Sequence, residues 1–286
     1  MARIIGKLLS DSTGGMMLRV LVILSILLLS PLATAADRVV SLGGTVTEII
    51  YALGEGDRLV ADDASSVYPE EALSLPRVGY YRNLSLEGVL AQRPDLIIAS
   101  ENAGPPEVLE RIRGMGINTV LVSDEPGVAS LYERVLQVAA ALGVESAGVA
   151  LQAQIQASLD AMATLGSRPR SAMVVLHRGG PLLAAGAGTS ADALLKLSGL
   201  ENAADTMQGY KPMTSEALAA LAPEIIFTST ASAQAAGGLT AFASHPGIAT
   251  TPAAQSGRVT AIDDLLLLGM GPRVAQAVAL LRRAAR

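Results

Sequence analysis

Apolar and polar positions follow two recurring patterns along the chain from Arg38 onwards. Short runs rich in β-branched residues, such as RVVSL, indicate buried strands, and longer runs with helical spacing, such as TVTEIIYALG, indicate helices. Thr45 would cap that helix and Gly54 would end it. Further strands are predicted at RLVADD, DLIIAS and TVLVSD, with a helix at PEVLERIRGMG. This alternation predicts an α/β fold in which helices cover a mainly parallel sheet.

The pattern changes between residues 130 and 165, where two helices follow one another without a strand. The second helical run has about 22 residues and would extend ~33 Å at a rise of ~1.5 Å per residue. We interpret residues 144–166 as a rigid connecting helix between an N-terminal α/β lobe, residues 36–143, and a C-terminal α/β lobe, residues 167–286. Alternation then resumes at AMVVLH, PLLAAGAG, TSADALLKLSG, EIIFTS, RVTAID and a closing helix over residues 272–286.

An internal repeat supports the two-lobe interpretation. LSLEGVLAQRPDLIIAS, residues 84–100, aligns without a gap with MTSEALAALAPEIIFTS, residues 213–229. Glu87 aligns with Glu216, and each segment predicts a capped short helix that ends at a proline and leads into a buried strand. The two lobes are therefore predicted to be similar to each other.

The N-terminus has the features of a secretory signal peptide over residues 1–35. Arg19 precedes an apolar run, and the small residues Ala33 and Ala35 provide a cleavage site. The apolar core is shorter than the ~20 residues that a spanning helix needs. The sequence therefore predicts a cleaved signal and an exported protein, with an uncleaved anchor as the alternative.

Composition and motifs narrow the possible functions. The net charge of -5 gives no basic field for nucleic acid, and the chain has no cysteine and only two histidines. The motifs G-x-S-x-G and H-E-x-x-H and the P-loop are absent. Residues 186–191, GAGTSA, match G-x-G-x-x-A between a strand and a helix, which leaves open an α/β enzyme with a nucleotide site.

Tyr80 and Tyr81 precede Arg82 in VGYYRNL, in a loop that leads into a helix. A phenol has a pKa of ~10 and is therefore neutral at neutral pH. It can serve as an anionic ligand there only beside a Lewis acid and a cation. Ferric iron and Arg82 would supply both, whereas spacing alone also allows both tyrosines simply to line a loop. His177 ends a strand, near the carboxyl edge where open α/β sheets bind ligands.

The segment RVVSLGGTVTEIIYALGEGDRLVADDASSVYPEEALSLPRVGYYRNLSLEGVLAQRPDLIIASENAGPP resembles the N-terminal lobe of periplasmic haem-binding proteins that serve bacterial haem-uptake ABC transporters. Its most specific part is V-G-Y-x-R-x-L-x-x-E-G. GAGTSADALLKLSG and NAADTMQGYKPMTSEALAALAPEIIF fit the C-terminal lobe of the same family. The resemblance runs from about Arg38 to the end of the chain.

This resemblance implies a monomeric periplasmic binding protein with no enzymatic activity, in which haem lies in the cleft between two lobes. Tyr80 would be the axial ligand of ferric haem, Arg82 would stabilise its phenolate, and Tyr81 would line the cleft. Candidates for a second axial ligand are His177, Tyr210 and Met270. Candidates for binding the haem propionates are Arg178, Lys211 and the helix N-terminus after Gly188.

The same resemblance implies that Glu87 and Glu216, one in each lobe, contact the permease dimer of an inner-membrane ABC importer. An ordinary glutamate in the first turn of a helix is the alternative for each. Two other functions stay open at this point. One is a cobalamin or siderophore binding protein of the same fold, which would tolerate Tyr80→Phe, and the other is the enzyme with a site at residues 186–191.

Overall fold

Two sheets with helices on their faces make up the part of the chain that the structure describes, residues 38–163 and 170–286 of a computed structural model. The predicted signal peptide, residues 1–35, lies outside the described residues, as does the end of the predicted connecting helix, residues 164–166. No helix within the described ranges is long and apolar enough to cross a membrane. The predicted α/β class is confirmed.

The first sheet has four parallel strands, in the order β2 (Leu59–Ala61), β1 (Val39–Leu42), β5 (Leu96–Ser100) and β6 (Asn118–Val122). Its central strands, β1 (Val39–Leu42) and β5 (Leu96–Ser100), are buried along their whole length, as expected for strands with both faces covered. The other elements of this half are α1 (Gly44–Ala52), β2 (Leu59–Ala61), β3 (Gly79–Tyr80), β4 (Asn83–Leu84), α2 (Leu86–Ala91), α3 (Pro106–Gly114) and β6 (Asn118–Val122), with 3-10 turns at Gly56–Arg58 and Glu70–Ser74.

Two helices in succession, α4 (Val128–Leu142) and α5 (Glu145–Ala163), follow the first sheet, as the sequence predicts. They pack closely at Gly148, where an added Cβ would lie 2.5 Å from the Cβ of Ala139. The positions of the lobe boundaries, at residues 143 and 167, stay a prediction, because residues 36–286 form one compact unit.

The second sheet is mixed rather than parallel throughout. Its strand order is β10-β8-β7-β11-β12, with β9 beside β7, and β8 is antiparallel to both of its neighbours. Only residues 177–181 separate β7 from β8, too few for the crossover that parallel strands need.

The elements of this second half are β7 (Ser171–Leu176), β8 (Leu182–Ala185), α6 (Ser190–Leu197), β9 (Glu201–Asn202), β10 (Tyr210–Met213), α7 (Ser215–Leu221), β11 (Ile225–Ser229), α8 (Thr230–Ala235), α9 (Leu239–Ala243), α10 (Pro246–Ala249), α11 (Pro252–Gln255), β12 (Val259–Ile262), α12 (Asp264–Leu268) and α13 (Val274–Ala284).

The internal repeat is seen as two segments with the same structure. Helix α2 and strand β5 correspond in register to α7 and β11, with the N-caps Ser85 and Thr214 at matching positions. Arg93 and Ala222, each just before a proline, both have positive φ, 48° and 45°. The repeat therefore extends to the conformation of single residues.

The largest hydrophobic cluster contains residues from both sheets. Ile98 of β5, Leu131 of α4, Ile155 of α5, Phe227 of β11 and Leu281 of α13 all belong to it. The opposite faces of the two sheets form two separate smaller clusters. Successive residues of a strand point to opposite faces of its sheet. One face of each sheet therefore packs in the shared cluster, and the other face packs in the smaller cluster of that sheet alone.

Candidate functional site

Tyr81 and Arg82 form the turn of a two-stranded hairpin between β3 and β4. The hairpin is held on both sides by backbone hydrogen bonds. The amide of Ala64 donates to the carbonyl of Gly79, and the amide of Gly104 donates to the carbonyl of Tyr81, at 2.7 and 2.8 Å. The turn is therefore fixed to the first lobe at several points, which limits the movement of the side chains that it carries.

Asp63 is a buried residue that organises this turn and that the sequence analysis did not identify. Its carboxylate accepts hydrogen bonds from the amides of Gly43, Ser65 and Tyr81, at 2.8, 3.0 and 3.0 Å. The hydroxyl of Ser65 adds a further bond at 2.9 Å. Asp63 thus joins the turn after β1, the loop after β2 and the tyrosine turn. In the sequence, Asp63 is marked only by its place as the last residue of the predicted strand RLVADD.

Arg82 is hydrogen-bonded to Tyr81, not to Tyr80. Its Nε donates to the phenolic oxygen of Tyr81 at 2.9 Å, and its guanidinium carbon lies 5.2 Å from the Tyr81 ring centroid. The rings of Tyr80 and Tyr81 meet edge to face with centroids 4.9 Å apart. The Tyr80 side chain is 42% exposed, and its hydroxyl has no hydrogen bond within the described ranges. Tyr80 is thus the more accessible of the two phenols.

Burial raises the pKa of Tyr81 to about 12, although the adjacent Arg82 opposes the shift. The negative charges near Tyr81 include Asp124, which follows strand β6. Asp124 accepts hydrogen bonds from the Ser100 hydroxyl and from Nδ2 of the Asn102 side chain at 2.8 and 3.1 Å, and pairs with Arg134 at 3.2 Å. Tyr81 is therefore a neutral phenol at neutral pH. It lies near the carboxyl ends of the first sheet, where α/β proteins bind ligands.

The second lobe contributes three of the predicted residues. His177 and Arg178 follow β7, and Tyr210 begins β10 with 40% of its side chain exposed. Burial raises the pKa of Tyr210, while Arg178 and Arg82 lower it, so both guanidinium groups are within electrostatic reach of this phenol. The buried Nδ1 of His177 has no hydrogen-bond partner among the described residues.

Met270 and the α6 N-terminus do not fit the roles suggested for them. The Met270 side chain is 3% exposed and packs in the shared core, so its sulfur cannot reach a ligand between the lobes. At α6, the Asp192 carboxylate accepts from the Gly188 amide at 3.4 Å, which places a negative charge where a propionate would bind. Lys211, in contrast, is exposed on β10.

The glycine-rich loop at residues 186–191 serves a structural purpose. A Cβ on Gly186 would lie 2.2 Å from the carbonyl oxygen of Met207, because residues 186–187 pair with residues 207–209. The backbone that a pyrophosphate would approach in a dinucleotide site is thus covered by another segment of the chain. This geometry disfavours the nucleotide-site alternative.

Glu87 and Glu216 are equivalent in structure. Each is exposed at the second position of a short helix, after an N-cap whose hydroxyl accepts a backbone hydrogen bond, at 3.1 Å for Ser85 and 3.2 Å for Thr214. Hydrogen bonds from its own amide and from Thr214 lower the pKa of Glu216. Both carboxylates are therefore available to cationic partners on the protein surface.

No group of three or more His, Cys, Asp or Glu side chains within residues 38–163 and 170–286 could hold a bare metal ion. Outside these residue types, Arg82 and Arg178 are the two cations within electrostatic reach of the Tyr210 phenol.

Comparison with known proteins gives two kinds of relative. Vitamin B12-binding protein from Yersinia pseudotuberculosis serotype O:1b (strain IP 31758) is 43% identical over 99 residues, which is 35% of each chain. The match thus spans only about a third of this curated relative. Three solved structures are similar over most of the chain.

The periplasmic heme-binding protein RhuT from Roseiflexus sp. RS-1, in apo form, is 37% identical with a TM-score of 0.83, covering 88% of this chain and 100% of its own. BhuT, solved with two hemes, is 40% identical with a TM-score of 0.80, covering 87% and 97%. A periplasmic heme-binding protein from Pseudomonas aeruginosa is 36% identical with a TM-score of 0.80, covering 87% and 92%. The sequence model of the Periplasmic binding protein family matches residues 39–266, and the chain belongs to this family of periplasmic binding proteins.

Proposed function

We propose that this protein captures ferric haem between its two lobes and delivers it to an inner-membrane ABC importer. The observation that carries the proposal is the tyrosine turn, which presents the exposed phenol of Tyr80 next to the guanidinium of Arg82. The likeness to three heme-binding proteins over 87–88% of the chain supports the same ligand. The proposed location is the periplasm, after cleavage of the signal peptide.

Tyr80 is the proposed iron ligand. Its phenol is exposed, and ring contact with Tyr81 limits its rotation. Haem iron can be held by a tyrosine, and a hard, anionic oxygen suits the ferric state. Arg82 is close enough to compensate the negative charge that Tyr80 acquires when it binds iron.

The opposite side of the haem would face Tyr210, His177 and Arg178. Arg178 is exposed and can form charge-assisted hydrogen bonds with a propionate. The unpartnered Nδ1 of His177 gives that side chain an unsatisfied polar atom near the same edge. Tyr210 provides an aromatic face on which a porphyrin can stack.

Glu87 and Glu216 are the proposed contacts with the permease. The two glutamates occupy equivalent positions, one in each lobe. A dimeric permease has two equivalent subunits, so each subunit would contact the same kind of helix end. The protein would act as a monomer and would catalyse no reaction.

Cobalamin is the second candidate ligand, because the 99-residue match to the vitamin B12-binding protein is 43% identical. Cobalamin requires no anionic tyrosine. The role of Tyr80 therefore separates the two ligands.

The test is an absorbance titration of residues 36–286 with ferric haem and, separately, with cobalamin, using wild type, Tyr80→Phe and Tyr132→Phe. Tyr132 lies on α4 and bonds Gln156, so its variant controls for the loss of any phenol. We expect a tyrosinate-type haem spectrum in wild type and Tyr132→Phe, which Tyr80→Phe abolishes. Binding of cobalamin with no spectral response to haem would overturn the proposal.

A further inference from the structure

A network of buried polar side chains lies in the first lobe and extends to the tyrosine turn. Its members Ser41, Thr47, Asp63 and Ser66 are each 0% exposed. The Thr47 hydroxyl lies 2.7 Å from that of Ser41 and 2.6 Å from that of Ser66. The Ser66 hydroxyl in turn donates to Asp63 Oδ1 at 3.3 Å. Buried polar networks whose members are satisfied make a core rigid, and Asp63 connects this one to the turn through the Tyr81 amide.

The two oxygens of the Asp63 carboxylate bind different segments of the chain. Oδ1 accepts from the amide of Gly43, which precedes α1, at 2.8 Å. Oδ2 accepts from the amides of Ser65 and Tyr81, at 3.0 Å each. An asparagine here would present one oxygen and one NH2 group, so a donor would face the amides on one of the two sides. A carboxylate is therefore needed to hold the start of α1 and the tyrosine turn at the same time.

Tyr80 is held in place through the backbone on either side of it. Its side chain is 42% exposed and contacts the Tyr81 ring edge to face. On one side, the Gly79 carbonyl accepts from the Ala64 amide at 2.7 Å. On the other side, the Tyr81 amide donates to Asp63 at 3.0 Å. Asp63 and Ala64 are consecutive residues, so a single loop after β2 fixes both chain neighbours of Tyr80.

We infer that Asp63 is a positioning residue for the iron ligand, which holds the backbone at Tyr80 through the Tyr81 amide and thereby sets the affinity for ferric haem. This inference rests on the proposed function. A ligand whose backbone is already fixed loses less conformational freedom when it binds, so less of the binding free energy is lost to ordering it. Groups that orient a metal ligand typically contribute roughly 10- to 100-fold to metal affinity. We expect Asp63→Asn to weaken haem binding by a factor in that range.

Absorbance titrations with ferric haem test the inference on wild type, Asp63→Asn and Thr47→Val. Thr47→Val is the matched control, because it removes a hydroxyl from the same buried network and leaves the amide bonds to Asp63 in place. Both variants should lower the melting temperature, since each leaves buried polar groups without a partner. We expect only Asp63→Asn to weaken haem binding and to shift the charge-transfer band of the iron tyrosinate. Unchanged binding by Asp63→Asn, or equal losses of affinity in both variants, would overturn the inference.

A milder variant keeps the test decisive if Asp63→Asn does not fold. Ser65 is only partly buried, and its hydroxyl donates to both Asp63 oxygens at 2.9 Å. Ser65→Ala removes this donor and leaves the carboxylate and its backbone partners in place. We expect haem binding to weaken roughly two- to tenfold, as for the loss of one hydrogen bond. Binding as tight as that of wild type would overturn the inference.

A second measurement needs no haem. In the ligand-free protein, hydrogen exchange of the Tyr81 amide, followed by NMR, should be slow in wild type and in Thr47→Val and faster in Asp63→Asn. Equal exchange in all three proteins would show that Asp63 does not hold the turn and would overturn the inference. Wild type that binds no ferric haem would overturn the proposed function, and with it the iron ligand that Asp63 positions. Tight haem binding by both wild type and Asp63→Asn would overturn the role of Asp63 alone.

Discussion

Glu48 and Arg273 form a two-point ion pair that joins the two halves of the chain. The Nε and Nη2 atoms of Arg273 donate to the two carboxylate oxygens of Glu48 at 3.1 and 3.0 Å, and the Arg273 amide adds a third bond at 3.2 Å. Glu48 lies on α1 and is 3% exposed, while Arg273 precedes α13 and stacks on the Tyr68 ring at 3.4 Å. Burial raises the pKa of Glu48 even though Arg273 opposes it.

Breaking this pair from one side should destabilise the protein more than removing both partners. Glu48→Met leaves Arg273 without its carboxylate, and we expect it to lower the free energy of unfolding by about 3–5 kcal/mol. Glu48→Met combined with Arg273→Met should cost less than Glu48→Met alone, because the desolvation of both charges is also removed. Urea unfolding of the three proteins measures this, and a double variant whose loss equals the sum of the single losses would contradict it.

The lobes should keep nearly the same relative orientation when ligand binds. Besides the Glu48 pair, the Thr45 hydroxyl donates to the Gly269 carbonyl at 2.9 Å, and Arg134 reaches the carbonyls of Gly269 and Met270 at 3.5 Å. We expect these contacts to limit hinge motion to a few degrees, in contrast to hinge-closing binding proteins. Small-angle scattering with and without haem should give superimposable profiles. A change in radius of gyration of the size that hinge closure causes would refute this prediction.

Asp62 should make stability depend on pH near neutrality. Burial raises its pKa from 3.8 to about 7, Arg77 opposes the shift, and the charge of Asp63 adds to it. The pKa of Asp62 is higher in the folded chain than in the unfolded chain. Its contribution to the free energy of unfolding is therefore fully present below about pH 4 and is lost as the pH rises through about 7.

The matching variant is Asp62→Asn, which imitates the protonated side chain. Relative to this variant, the free energy of unfolding of wild type should fall by a few kcal/mol at most as the pH rises from about 4 to about 7, since one pKa unit corresponds to about 1.4 kcal/mol. Unfolding curves at several pH values measure the difference. Asp57→Asn, on the exposed 3-10 turn nearby, is the control and should show the same pH dependence as wild type.

Gly186→Ala should destabilise the second lobe. Its Cβ would meet the Met207 carbonyl at 2.2 Å, and a backbone atom cannot move aside as a side chain can. We expect a loss of about 1–3 kcal/mol, as for overpacking in a core. Gly180→Ala is the control, because no atom lies within 4 Å of its Cβ. Equal thermal stability of the two variants would disprove this account of the loop.

Glu87→Ala combined with Glu216→Ala should leave haem affinity unchanged and abolish haem uptake by cells that contain the cognate importer. Both side chains are exposed and lie outside the tyrosine turn, so ligand contacts are unaffected. Glu107→Ala is a matched control, since Glu107 is likewise an exposed glutamate in the first turn of a helix. Normal uptake with the double variant would remove the docking assignment.

The elements of the fold were predictable because local patterns determine them. The repeat predicted the same helix start at Leu86 and Ser215, which the caps Ser85 and Thr214 determine locally. The antiparallel position of β8 was missed, because its pairing depends on the length of a loop rather than on the strand sequence. The mixed second sheet is the result.

The candidate site was predictable in its residue types but not in its contacts. The family resemblance implied that Arg82 stabilises Tyr80, whereas in the structure the Arg82 Nε donates to Tyr81. Met270 was proposed as a ligand from its position alone, and its burial shows that suggestion to be wrong. Asp63 carries no motif, because its role depends on three loops that are distant in sequence and meet only in the folded chain.

The hydrophobic cluster shared by the two sheets also makes the packing of one sheet depend on the other. Val278 and Leu281 belong to this cluster and lie in α13, which packs on α5 and α6. Loss of this one helix would therefore remove apolar contacts from α5 and from α6 together, so the shared core is complete only when both halves of the chain are folded.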